Sequence, residues 1–424
     1  MIKKIFSLFS FIALCNIHLY SQNGWTVQTL ENITLNSVFF TSTYTGYTVG
    51  MGGTTGDSGL ILKTTNGGSS WTTKNIGMNN YLYSLYFTDS MTGYAVGINA
   101  ADSGLVLKTI DGGNNWTQQV IGTVNYILNS VYFTNANTGY IVGYLPGGEG
   151  AGGGIILKTI NQGTTWTTQS TTSINLYSVY FTDTITGYAV GDDNGNFAGI
   201  ILKTYDGGIT LSAPQTISGT AHTLNSVYFT DSLTGYAVGI ATILSTVNGG
   251  SNWTVISDFY YLNSVYFTNA DTGYIAGSED QQGLNGIILK TINAGTSWTT
   301  ALTGSSVTGL NSVYFLNSTI GYAVGNGITA ITGVKPTKIT NPNSDSSNFK
   351  IFPNPNDGFF TLEFSNPDHQ TQQIKISDIT GKEILETTTS QELFNYTGNK
   401  LQSGIYIVRM ESEEIINVSK MIVK

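Results

Sequence analysis

The chain has 424 residues, too many for one ordinary hydrophobic core, and carries 51 Gly, 25 Tyr and only 10% charged residues. Gly makes turns while Tyr, Thr, Val and Ile fill strands, so an all-β fold is expected. The formal net charge is −9 and the single arginine is Arg409, which excludes nucleic acid and anionic membrane as partners, because phosphate binding needs clustered Lys and Arg.

Residues 1–21 read as a cleaved secretory signal: Lys3 and Lys4 form a basic head, Ile5 to Cys15 an apolar segment, and Ser21 a small residue before Gln22. The apolar run is too short to span a bilayer, and no later segment is a transmembrane helix candidate. Cys15 is the only cysteine, and its neighbour Leu14 fits a lipidation signal poorly. Once Cys15 leaves with the signal, the mature chain has no disulfide to rely on. Loss of Lys3 and Lys4 leaves 15 basic against 26 acidic residues.

From residue 22 the sequence repeats. The phrase is clearest at Leu224 to Gly239, and its leading leucine recurs at Leu35, Leu82, Leu128, Leu176, Leu224, Leu262 and Leu310. Such a period means one supersecondary unit per repeat, each burying its apolar face against its neighbours. In the second repeat, Leu82–Phe87, Tyr94–Gly97, Leu105–Thr109 and Trp116–Gln118 read as four short strands separated by turn residues. That pattern predicts the antiparallel blade of a β-propeller over residues 22–334.

The last repeat, from Leu310, runs out after a third strand at Ile328–Thr332, while Trp25 begins a fourth strand with no repeat before it. The two ends are therefore expected to share one blade, closing a ring of seven and removing exposed edges. The aromatics follow the repeat. Trp25, Trp71, Trp116, Trp166, Trp253 and Trp298 hold one slot, with Leu211 as the fourth unit's substitute. Tyr47, Tyr94, Tyr140, Tyr188, Tyr236, Tyr274 and Tyr322 hold another, each after a Gly. One aromatic per unit in a fixed slot points to packing between blades rather than a ligand cage. Lys63, Lys108, Lys158, Lys203 and Lys290 share a third slot and are expected to face solvent.

The runs Thr64 to Trp71 and Thr109 to Trp116 resemble the Asp-box, or BNR repeat, of sialidase-like propellers, and recur at Asn161, Asp206, Asn248 and Asn293. With Gly-Tyr-Ala-Val-Gly, they resemble the propellers of photosystem II assembly factors and their bacterial surface relatives. That resemblance implies a fold; in such families the Asp-box is a structural hairpin away from the usual site. Asp89-Ser90-Met91, Asp183-Thr184-Ile185 and Asp231-Ser232-Leu233 resemble Bacteroidetes O-glycosylation sites, but Asp with Ser or Thr also stabilises a β-turn without any sugar.

Residues 335–348 are polar, hold Pro336 and Pro342, and read as a linker. Alternating apolar residues and Gly turns over residues 349–424 argue a small Ig-like β-sandwich. Its blocks Phe349 to Gly358, Ile374 to Ile384, Leu401 to Arg409 and Ser419 to Lys424 resemble, in order, the C-terminal sorting domain of the type IX secretion system. The resemblance implies passage through the periplasm and across the outer membrane, with the secretion machinery as partner of residues 349–424 and the propeller as secreted or surface-attached cargo. Cleavage of the sorting domain usually accompanies that passage.

Chemistry in the propeller is sparse. Sialidases hold a substrate carboxylate with three arginines, a fork geometry Lys cannot reproduce, and this propeller has no Arg. His222 is the one mature histidine outside the C-terminal domain, too little for a zinc site or a Ser-His-Asp set, so no catalytic residue is assigned. The loops joining second to third strands hold Asp57, Asp102, Glu149, Asp192, Asp193, Glu279 and Asp280 without Lys or Arg, and they vary in length, notably over Tyr144 to Gly154. Varying loops on a repeating scaffold are where function is normally carried. This acidic face is the expected binding surface for a cation, a glycan or a basic protein patch. Asp192, Asp193 and Asn196 offer oxygen ligands for calcium but lack the spacing of an EF-hand, and no other cofactor is expected. Two readings follow: a non-enzymatic binding or adhesion module, or a polysaccharide-active enzyme using two of these acids, for which nothing fixes a separation.

Overall fold

The computed structural model describes residues 20–424 apart from 53–57, 79, 120, 122–124, 146–152, 194–197, 218–222, 258–259, 305, 334–337, 340–348, 365–370, 379–381 and 412–414. The expected signal therefore falls almost wholly outside the described residues, as do Asp57, Glu149, Asn196 and His222. The chain divides into two compact units, Met1–Gly333 and Val334–Lys424. Among the described residues there is no helix.

The first unit is built of repeated four-stranded antiparallel sheets, the blades of a β-propeller. In the second repeat the strands are Tyr81–Phe87, Gly93–Ile98, Gly104–Thr109 and Thr117–Gln118, paired in sequence order. Each innermost strand carries a bulge inside its Leu-x-Ser step, where the register shifts between Leu82 and Ser84, and likewise between Leu176 and Ser178. A bulge leaves one residue unpaired and re-aims its side chain. It also pushes a carbonyl against the facing strand: a Cβ on Gly97 would lie 1.8 Å from the Tyr81 oxygen, and one on Gly191 would lie 1.7 Å from that of Asn175. The glycine at or near the end of each second strand is thus the counterpart of the bulge.

The two ends of the propeller meet as the sequence suggests. Trp25–Phe40 is one long strand whose first part, Trp25 to Thr29, pairs with Ile328 to Thr332, and whose last part pairs with Gly46–Gly52. Innermost strands are also linked side by side. Ser37 Oγ accepts the Leu85 N–H, Ser84 that of Val131, Ser130 that of Val179 and Ser178 that of Val227. Ser226 and Ser264 continue to Val265 and Val313, and Ser312 accepts from Val38, which returns the cycle to its start.

Seams between units use the repeated aromatics. Tyr47 stacks on Phe87 of the next unit at 4.1 Å between centroids, and Trp116 meets the edge of the same ring at 6.0 Å. Tyr322, Phe40 and Trp71 make the same trio across the closure. The recurrent lysines do not simply face solvent. Lys63 Nζ and Tyr47 Oη both donate to the Gly112 carbonyl of the next unit, at 2.6 and 2.7 Å, and Lys158 and Tyr140 do the same at Gly207. Each such lysine lays its stem and charge beside the seam tyrosine, as Lys158 does 5.3 Å from the Tyr140 centroid.

The second unit has a five-stranded sheet, containing Gln372–Asp378, Glu383–Thr389, Gly404–Glu411 and Ile415–Val423, and a three-stranded sheet of Phe349–Phe352, Thr361–Phe364 and Leu393–Asn395. Phe349, Leu362, Ile374, Ile376, Val408, Met421 and Val423 are buried together as its core. The fifth strand is Lys338–Ile339, pairing in parallel with Ile415 and Ile416, so part of the expected linker is an edge strand of this unit.

Candidate functional site: a tyrosine mouth on one propeller face

The bulge residue of each innermost strand lies at the end of the blades where second strands turn into third strands and one unit passes to the next. In five units it is asparagine, and each of these reaches across a seam: Asn36 Nδ2 donates to the Leu82 carbonyl, Asn129 to Leu176, Asn225 to Leu262, Asn263 to Leu310 and Asn311 to Leu35. In the other two units the slot holds Tyr83 and Tyr177. Just inside the Asn slots, Phe39, Tyr86, Tyr132, Tyr180, Tyr228, Tyr266 and Tyr314 form a closed ring of aromatics, with neighbouring centroids 5.0 to 5.5 Å apart.

Tyr83 and Tyr177 flank a third tyrosine. Tyr144 ends the second strand of the intervening unit, and its ring lies 5.6 Å from that of Tyr177 at 60°. Burial first, then the neighbouring phenols of Tyr144 and Tyr81, pushes the Tyr83 hydroxyl up from its ordinary range. Tyr144 is raised by burial and then by the charge of Asp192, and Tyr177 is raised by burial, then by Asp192 and Tyr144. All three therefore remain protonated donors at neutral pH.

Asp192 organises this corner. It ends the second strand of the fourth unit and is only 1% exposed. Asn175 Nδ2 donates to its Oδ1 at 2.9 Å, while Tyr177 Oη and Thr223 Oγ1 donate to its Oδ2 at 3.1 and 3.0 Å. These charge-assisted bonds offset the cost of burying the carboxylate and hold the Tyr177 ring in place. The residue read from sequence as an open loop ligand is thus a buried anchor.

The remaining described acids of this face fold their own loops. Asp193 Oδ1 accepts the Ala198 N–H, and both oxygens of Asp280 accept backbone donors, from Leu284 and Asn285. Glu279 Oε1 accepts the Thr303 hydroxyl at 3.0 Å. Asp102 is exposed at a left-handed turn position, φ 54°. The structure does not gather these four into one cluster, and among the described residues no group of three acids, His or Cys is arranged to hold a metal. Sequence reasoning missed Tyr83, Tyr144 and Tyr177. The signal that marks Tyr83 and Tyr177 is the replacement of Asn in an otherwise regular Leu-Asn-Ser phrase.

The opposite face is made of turns. Asp89, Asp183 and Asp231 each use Oδ1 to accept two backbone N–H groups of their own turn, as in Asp231 with Leu233 and Thr234. In the hairpins resembling Asp-boxes, Thr109 Oγ1 accepts the Gly113 N–H and Asp111 accepts that of Asn115, which pulls the Asp111 carboxyl down to about 2. The propeller's six lysines belong to this face as well.

Comparison with known proteins separates the two units. Residues 350–424 match the secretion system C-terminal sorting domain. The C-terminal unit is the sorting tail of type IX secretion cargo. A chain with this tail is secreted or displayed at the outer-membrane surface. Residues 69–168 of the propeller match the photosynthesis system II assembly factor YCF48. The solved structure of YCF48 bound to D1 peptide aligns with TM-score 0.57 at 16% identity, over 77% of this chain and 100% of that one. The extracellular domain of BT4673 from B. thetaiotaomicron aligns with TM-score 0.59 at 9% identity, over 96% of this chain and 60% of that one. The GH74 enzyme of Niastella koreensis aligns with TM-score 0.53 at 14% identity, over 93% and 74%. At these identities the likeness establishes the fold alone. No curated protein matches the sequence.

Proposed function

We propose that the propeller delivered by the sorting tail is a seven-unit, non-enzymatic binding module that engages a glycan or a surface protein at its tyrosine mouth. The observation that carries this reading is the break in the repeat: two of the bulge slots exchange Asn for Tyr83 and Tyr177, on either side of Tyr144. Bulges are where strands re-aim side chains next to sites, and aromatic rings give contact area at low entropic cost. Adhesion fits better than hydrolysis, because Asp192, Asp193, Glu279 and Asp280 already accept hydrogen bonds from their own surroundings. YCF48, solved with a D1 peptide, is precedent for peptide capture on this fold, and the GH74 enzyme for carbohydrate.

The test is an array of bacterial and host glycans and surface-protein peptides probed with the mature chain. Specific retention without product release, lost in Tyr177→Ala, is expected. Turnover of any glycan would favour the alternative, a polysaccharide-active enzyme, and retention indifferent to Tyr177 would move the site elsewhere.

A further inference from the structure

Beyond the tyrosine mouth, we propose that the hairpin face at the other end of the blades is a self-association surface, covered by the same face of a second copy of this chain. Three observations carry this. First, the residue after the Thr that opens each Asp-box-like hairpin is Ile110, Ile160, Tyr205, Val247 and Ile292 in five units, each between 63% and 76% exposed. The slot lies just outside the third strand, so neither strand pairing nor core packing calls for an apolar side chain there. Its identity changes among Ile, Tyr and Val while its apolar character persists. Single exposed apolar residues are ordinary on a protein surface, whereas a repeated set on one face marks an interaction site.

Second, the neighbouring turns enlarge this set. Met91, Ile185 and Leu233 are 51%, 54% and 56% exposed, and their carbonyls accept the N–H groups of Gly112, Gly207 and Gly249 in the hairpin of their own unit. The second, fourth and fifth units thus each bring two apolar residues to the face. Together these side chains expose on the order of 1,000 Å², and a standard interface takes about 800 Å² from each partner. Third, a chain of net charge −9 repels its own copies in most approaches. On this face the propeller's six lysines stand with Asp89, Asp111, Asp183, Asp206, Asp231 and Asp271, so the formal charges of its described residues cancel. A strongly acidic or basic partner finds no net charge to recognise there. Two such faces meet without net repulsion, and a two-fold axis lets each copy offer the other the same surface.

The test is sedimentation equilibrium of the full mature chain from about 1 to 100 μM. A monomer–dimer equilibrium is expected, holding or tightening as salt is raised, because screening removes repulsion and leaves the apolar contact. The triple variant Ile110→Asp, Ile160→Asp, Ile292→Asp should weaken association by about a hundredfold while keeping the β-sheet circular dichroism. Leu284→Asp, at a residue 63% exposed on a loop between second and third strands, should leave association unchanged. A chain that stays monomeric throughout overturns the proposal, as does a folded triple variant that dimerises like the parent. Association lost in Leu284→Asp alone places the contact at the other end and overturns it too. Vesicles of neutral phospholipid are probed in parallel: capture of a monomeric chain, lost in the triple variant, gives the face to a lipid surface and overturns the second copy.

Discussion

Tyr94 and Tyr140 show how much one repeated side chain does. Each fills a seam with its ring and donates its hydroxyl to a carbonyl of the next unit, Gln162 at 2.7 Å and Gly207 at 2.9 Å. Burial, with lesser contributions from Asp89 and Asp206, pushes these hydroxyls up to about 12. A tyrosine is ordinarily about 10 in an unfolded chain. Because the folded value is the higher one, the stability these groups contribute is fully present below pH ~10 and is lost as pH rises through ~12. Alkaline titration followed by tyrosinate absorbance and near-ultraviolet circular dichroism should therefore show bulk ionisation together with loss of tertiary signal in that window. Ionisation complete near pH 10 with the fold intact would contradict the seam geometry. At this scale the seam residues were legible because seven copies repeat them. Tyr83 and Tyr177 were not, since within a strand pattern a Tyr for Asn exchange resembles neutral drift until the bulge is seen.

Among the elements, the seam of the third and fourth units is the imperfect one. Where six units set a Trp edge against their Phe, the fourth has Leu211 beside Phe181. A small apolar void opens there, lined by Tyr140, Phe181, Leu202, Gly208 and Leu211. The turn is also looser: a Cβ on Gly208 would lie 3.4 Å from Tyr140, against 2.5 Å for Gly113 and Tyr47. Leu211→Trp should restore the edge contact and stabilise the propeller by about 1 kcal/mol, read as a raised thermal midpoint. A lowered midpoint would mean that the fourth outer strand cannot seat the ring. The Leu substitution was visible in sequence, but the void was not, because its size depends on how far the hairpin relaxes. The lysine slot misled for a related reason: alternation in a third strand marks an outward side chain but not the neighbouring unit's carbonyl waiting at its tip.

For the whole molecule, length, turn chemistry and the incomplete last repeat were enough to anticipate a propeller whose first strand joins its last unit, since pairing Trp25 to Thr29 with Ile328 to Thr332 satisfies both orphan edges. What composition could not reveal was how charge is apportioned between faces. Counting acids in loops pointed to the same end of the blades as the proposed mouth, but that Asp192, Asp193, Glu279 and Asp280 accept hydrogen bonds from their own surroundings was not legible, because hydrogen bonding inside a loop is a three-dimensional fact. The described acids brace their own loops, and the proposed function gives the contact to the tyrosines. Backbone hydrogen exchange of the mature chain, with and without a binder selected from the array, tests this division most directly. Added protection is expected at Tyr81–Tyr83, Gly143–Tyr144 and Asn175–Tyr177, and none at the hairpins around Ile110, Ile160 and Ile292; protection confined to those hairpins would contradict a binding site at the tyrosines.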